Sequence, residues 1–217
     1  MGRKRVLFWD VDTQFDFLNP QGKLYVPDGE KITDNISKTR KFALENHFPI
    51  VASTDWHTEE DVEISENPDF MQTFPAHCLA SQQGSSRVGY IGQIPVEIIG
   101  LDEMDTKVLK GLIDKELFHV VIRKKELDVF TNPNTMKLLN LIRPEVVVVF
   151  GVSLDVCVYR AVLGLLRWGN ANIIVLRDVV KGLEKKAEEK VWKEFEAKGV
   201  KIKELNDLRK GILGVVT

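Results

Sequence analysis

Five short, almost wholly apolar runs constrain this chain most: residues 6–11, 50–53, 118–122, 146–150 and 173–176. They are rich in valine and isoleucine, and each is closed by small or polar residues. A strand buried on both faces reads this way, because neither side of its pleat meets water. Parallel sheets covered by helices have this property. A weaker alternating run over 200–205 predicts an edge strand.

Helical periodicity lies between the runs. Residues 32–46 carry Ile32, Ile36, Phe42, Ala43 and Leu44 at helical spacing, and 133–142 carry Met136, Leu138, Leu139 and Ile142. Residues 156–168 are apolar nearly all round, as in a helix packed on a sheet. Residues 184–198 are amphipathic, with Val191, Trp192 and Phe195 on the apolar face. Gly169 and Gly199 stand just past helix ends, where a left-handed cap favours glycine. The alternation predicts a Rossmann-like three-layer α/β/α fold, with helices on both faces of a mostly parallel sheet of about six strands. The 217 residues suit one domain, 1–217. Residues 57–95 break the rhythm. A loop that long in a compact domain is commonly functional.

Composition narrows the partners. A formal net charge of −2 provides no global field to attract nucleic acid or an acidic membrane. The Lys- and Glu-rich stretch 183–205 reads as a solvated helix face. The two cysteines, Cys78 and Cys157, form no disulfide framework, and their scarcity fits a reducing compartment. Near the start, Arg3-Lys4-Arg5 precede an apolar run too short for a signal-peptide core. Gly2 lacks the downstream pattern of a myristoylated chain. No segment has the length of a membrane span. A cytoplasmic protein is the expectation.

In open α/β sheets, ligands gather at the carboxyl ends of the strands. Here those ends read Asp10-Val11-Asp12, Thr54-Asp55-Trp56-His57, Arg123-Lys124-Lys125, and Gly151 through Cys157. Cys157 falls at a strand-to-helix junction. A helix N-terminus lowers a thiol pKa and offers N–H groups to an oxyanion. An inert buried cysteine fits the same position. Arg160 follows too soon for a phosphatase-like Cys-x5-Arg loop. Asp55, His57, Glu63 and His77 suit Zn²⁺, Mn²⁺ or Fe²⁺, although a polar surface loop would also contain such residues. Cys78 is expected to be structural.

Three separated segments resemble the isochorismatase-like cysteine hydrolases, in their nicotinamidase/pyrazinamidase branch. Asp12-Thr13-Gln14-Phe15-Asp16-Phe17 is similar to D-x-Q-x-D-F. Thr54-Asp55-Trp56-His57, followed by Phe74-Pro75-Ala76-His77-Cys78, resembles D-W-H and W-P-x-H-C. Gly151-Val152-Ser153-Leu154-Asp155-Val156-Cys157-Val158 is close to G-x-A-T-D-x-C-V. The resemblance implies that Asp12 is the general base and Cys157 the nucleophile. An aromatic commonly lies six residues beyond the catalytic lysine. Phe130 therefore assigns that role to Lys124, with Lys125 as the alternative. It also implies a cis peptide before Ser153, an oxyanion hole from the N–H groups of Ser153 and Cys157, and a planar substrate ring between Phe17 and Phe74. A divalent metal, Zn²⁺ first, would be held by Asp55, His57, Glu63 and His77. Glu63 stands where most members have histidine. Phe15, Glu126–Val129 and Val156 also depart from the family pattern, and bear on substrate identity more than on reaction type.

The implied activity is hydrolysis of nicotinamide to nicotinate and ammonia through a cysteine thioester. Two alternatives remain open. One is a family hydrolase of another amide, carbamoyl or ureido substrate, or of isochorismate. The metal cluster and the cysteine argue against isochorismate. The other is a non-catalytic binding domain of the same fold. The expected partner is a small-molecule amide, and the family often forms homo-oligomers.

Overall fold

In the computed structural model, residues 5–89, 94–115, 117–208 and 210 are described. Gly2, Arg3 and Lys4, and residues 90–93 of the long loop, lie outside them. The elements are β1 (Val6–Val11), α1 (Phe15–Leu18), α2 (Thr33–Glu45), β2 (Ile50–Asp55), β3 (Val96–Ile99), α3 (Thr106–Ile113), β4 (His119–Lys124), α4 (Pro133–Ile142), β5 (Val146–Val152), α5 (Tyr159–Trp168), β6 (Asn172–Lys181), α6 (Lys185–Ala197) and β7 (Lys201–Lys203).

Among the described residues the strands form one seven-stranded sheet, ordered β3-β4-β2-β1-β5-β6-β7. Every pairing is parallel. The expectation of about six mostly parallel strands therefore becomes seven, all parallel. The added one is β3. It sits at the sheet edge with only Ile99 fully buried, so it lacks the continuous apolar signature of the central strands.

Alternate residues of β1 feed two cores. Leu7, Trp9 and Val11 pack with Leu109 of α3, Leu138 and Leu139 of α4, Val162 and Leu165 of α5, and Phe195 of α6. Val6 and Phe8 face the other way, toward Phe17 and Leu18 of α1 and Ile36, Phe42 and Ala43 of α2. Each such side chain contributes roughly 1.5–3 kcal/mol by leaving water, which is why these runs tolerate so few polar residues.

Helix ends follow their local chemistry. Asn132 caps α4 by accepting the Asn134 N–H, with Pro133 in the first turn. Gly169, at φ 74°, closes α5 in the left-handed conformation expected of it.

Strand order reverses at β1, with β2 on one side and β5 on the other. The crevice at such a switch point is where α/β folds bind ligands. Gly151 is essential to this geometry. It lies at φ 120°, and a Cβ there would stand 2.0 Å from the Val11 carbonyl oxygen. The ends of β1 and β5 can therefore converge.

Candidate active site

The first residues past β1 enter the crevice. Asp12 is fully buried with φ 47°, a left-handed turn that directs the chain away from the sheet. Its Oδ1 accepts from Ser53 Oγ at 2.7 Å, and its N–H donates to the Ser53 carbonyl at 3.1 Å. The next strands supply the partners. Lys124, at the end of β4 and 2% exposed, points its ammonium at Asp12 Oδ2, 3.0 Å away. The same ammonium hydrogen-bonds Asp55 Oδ1 and lies 3.7 Å from Cys157 Sγ. Asp12, Lys124 and Cys157 are thus brought together.

Cys157 lies in a π-helical turn, Leu154–Val158, that leads into α5. The expected α-helical start is widened by this turn, a form frequent at functional sites. The Val152–Ser153 peptide before it is cis. Val156 and Val158 both donate to the Ser153 carbonyl, at 3.1 and 3.0 Å. Asp155 braces the turn by accepting from Ser153 Oγ and the Leu183 N–H.

The electrostatics differ from the expectation of a lowered thiol pKa. Burial pushes the Cys157 thiol well above its usual range, the Lys124 charge opposes this, and Asp12 and Asp55 add to it. Burial also raises Asp12, against the pull of Lys124. Lys124 is held protonated: burial disfavours its charge, but Asp12 and Asp55 outweigh that. Burial thus favours the neutral thiol, and Asp12 faces it across the Lys124 ammonium.

Asp55, His57, Glu63 and His77 are all buried, and each offers a ligand atom within 4.8 Å of the others. The fit to a dication is chemical as well as spatial. Among the described residues, buried His57 Nε2 makes no hydrogen bond, although it lies 3.9 Å from both Asp55 Oδ2 and Glu63 Oε1. His77 Nδ1 meets the Pro75 carbonyl at 2.8 Å, which leaves Nε2 facing Asp55 Oδ2 at 3.5 Å. Burial and the nearby Asp55 charge raise the Glu63 carboxyl to about 7. Two carboxylates and two imidazoles with inward nitrogens suit Zn²⁺ or Mn²⁺, whose charge would offset that crowding.

The long loop reaches the cluster because the first motif ties it down. Gln14 binds the Asp55 backbone through both amide atoms, at 2.7 and 2.8 Å. Asp16 accepts the Cys78 N–H at 2.7 Å, beside His77. Cys78 is itself fully buried with its thiol toward the Gly84 carbonyl, a structural position as expected.

One narrow cavity of ≈ 30 Å³ joins the two groups. Asp55, Glu63 and His77 line one side, and Ser153 and Cys157 the other. Phe17 and Phe74 contribute walls, and both rings pack on His77. Leu24, Leu127 and Leu183, with three valines, complete the lining.

Sequence reasoning missed two groups. Behind the site, Asp10 is fully buried between Arg40 and Arg87. On the loop, Asp61 bridges His57 and Lys125. Lys125 therefore points to the loop, away from the Cys157 cluster. Apart from their place in the chain, neither group carried a local pattern.

The sequence and the fold have counterparts. The nicotinamidase of Saccharomyces cerevisiae (strain ATCC 204508 / S288c) is 25% identical over 192 residues, covering 76% of this chain and 83% of that protein. The crystal structure of the pyrazinamidase of Pyrococcus horikoshii in complex with zinc matches at a TM-score of 0.74 and 25% identity, over 93% of this chain and 99% of that one. An isochorismatase family protein from Desulfovibrio vulgaris subsp. vulgaris str. Hildenborough shares the fold at a TM-score of 0.75 and 14% identity, over 97% and 99%. The model of the isochorismatase domain matches residues 7–207, and the chain belongs to the isochorismatase family.

Proposed function

We propose that this protein is a cysteine-dependent amidohydrolase that converts nicotinamide to nicotinate and ammonia. One observation carries the reading. A single cavity is lined both by Cys157, with the Lys124 ammonium 3.7 Å from its sulfur, and by three members of a four-residue metal-ligand cluster. The likeness to a nicotinamidase and to a zinc-bound pyrazinamidase supports the substrate class.

In the proposed mechanism, Asp12 accepts the Cys157 proton, and Lys124 balances the charge left on sulfur. The thiolate attacks the amide carbon. The carbonyl oxygen becomes an oxyanion held by the N–H groups of Ser153 and Cys157, an interaction worth about 3–4 kcal/mol per donor. Asp12 returns the proton to the nitrogen as the C–N bond breaks and ammonia leaves. A thioester remains on Cys157. Water then adds to it, giving its proton to Asp12, and the acid departs as the thiol is restored. Splitting one difficult hydrolysis into two steps is the gain of covalent catalysis.

Phe17 and Phe74 would flank the ring through their π faces. Asp55, His57, Glu63 and His77 would hold a divalent cation, with zinc favoured. When bound, it supplies a Lewis-acid anchor for the ring nitrogen.

The test is ammonia release from nicotinamide by zinc-loaded protein, beside a chelated sample. Release that chelation abolishes is the expected result. No release with zinc confirmed as bound would overturn the substrate and favour another amide, carbamoyl or ureido compound. Retained ligand binding without turnover of any of these would favour a binding domain.

A further inference from the structure

Lys124, the last residue of β4, and Lys125, just past it, point opposite ways. Lys124 points inward to Asp55. Lys125 points to the loop and meets Asp61 Oδ1 at 2.5 Å. Asp61 is nearly buried, with 9% of its side chain exposed against 38% for Lys125. Its carboxylate has two further groups to satisfy. Thr58 donates its N–H to Oδ2 and its hydroxyl to Oδ1, each at 3.0 Å. The remaining contact is with His57 Nδ1, 3.3 Å from Oδ2.

We infer that Asp61, backed by Lys125, is the positioning residue that sets the tautomer of His57 for metal binding. This deepens the metal-site reading above and rests on it. A carboxylate tied to an ammonium, an amide N–H and a hydroxyl has only acceptor capacity to offer the ring. His57 must then donate from Nδ1, which leaves the lone pair on Nε2, the buried atom that makes no hydrogen bond and faces Asp55 and Glu63. The second imidazole is set the same way by different means, through the Pro75 carbonyl. An outer carboxylate of this kind fixes ring orientation and raises ligand basicity. The two lysines thus divide the work: one supports Asp55 directly, the other supports His57 through Asp61.

The experiment uses the whole chain stripped of metal. Zinc affinity is measured by competition with a chromophoric chelator. The His57 tautomer is read from long-range ¹H–¹⁵N spectra, which four histidines keep simple. Asp61→Ala should lose the Nδ1–H pattern at His57 and bind zinc roughly 10–100-fold more weakly. Lys125→Met should weaken zinc in the same direction by a smaller factor, and it decides the matter should Asp61→Ala not fold. Lys137→Met, which removes a surface lysine paired with Glu103, should bind as wild type does. A folded Asp61→Ala with wild-type affinity and tautomer overturns the inference and leaves the metal site standing. Equal losses in Lys137→Met would assign the effect to net charge and overturn it too. A wild-type protein that binds no zinc would remove the metal reading itself, and this inference with it.

Discussion

The Lys124 ammonium lies 3.7 Å from the Cys157 sulfur and is fully buried beside it. This contact joins two clusters that are separate in sequence. Through its other bonds, to Asp12 and Asp55, the same nitrogen touches the proposed base and a proposed metal ligand.

Removing that charge should be costly. With Lys124→Met, Asp12 and Asp55 are left buried without their shared cation. Breaking a buried pair from one side costs about 3–5 kcal/mol. Urea unfolding of metal-free protein at pH 7 should show a loss of this order, partly recovered by adding Asp12→Asn. A Lys124→Met variant as stable as wild type would contradict the geometry.

Asp10 gives the protein an acid-sensitive element. Burial opposes its ionisation, but the Arg40 and Arg87 guanidiniums outweigh this and hold its pKa at about 2, below the ordinary 3.8. Because the folded value is the lower one, the stabilisation is complete above the unfolded pKa and is lost as pH falls through about 2. At roughly 1.4 kcal/mol per pH unit, the contribution is about 2 kcal/mol. Unfolding free energy followed from pH 6 to pH 2 should fall less steeply in Asp10→Asn than in wild type, whatever the variant's lower starting stability. Parallel slopes would contradict the assignment.

Gly164 on α5 faces the Phe130 ring, and a Cβ there would stand 2.1 Å from two ring carbons. The ring has little room to yield, since it stacks on Trp9 with planes 8° apart. Gly164→Ala should therefore destabilise by about 1–3 kcal/mol through overpacking. Thermal unfolding would show it as a lower Tm; an unchanged Tm would mean that the ring moves freely.

The cavity over Cys157 is narrow, and partly buried Leu127 and Leu183 close one side. Leu127→Ala and Leu183→Ala should widen it and raise kcat/KM for amides bulkier than nicotinamide relative to nicotinamide itself. A substrate panel checks this. An unchanged preference in both variants would place the size filter elsewhere.

Much of the fold was legible because β1, β2, β4, β5 and β6 are buried on both faces in their central stretches, and α4 announces itself with a proline start. β3 was missed because a half-exposed edge strand carries no apolar run. α3 was missed although Asp105 caps it by accepting the Lys107 N–H, since it follows directly on that weak strand. The members of the Cys157 cluster and of the candidate metal cluster were visible at strand ends and in the loop. Their electrostatics were not. A helix N-terminus suggested a low thiol pKa, whereas burial beside Asp12 and Asp55 reverses the direction. Asp10 with Arg40 and Arg87, and Asp61 with Lys125, depend on contacts across 30 to 77 residues of chain, which no local pattern records.

The most direct test compares wild type and Cys157→Ala, both zinc-loaded and both confirmed as folded by circular dichroism, for ammonia release from nicotinamide. The account predicts steady release by wild type and none above background from Cys157→Ala. Release by the alanine variant at a rate near that of wild type would contradict the cysteine as nucleophile, and with it the thioester route.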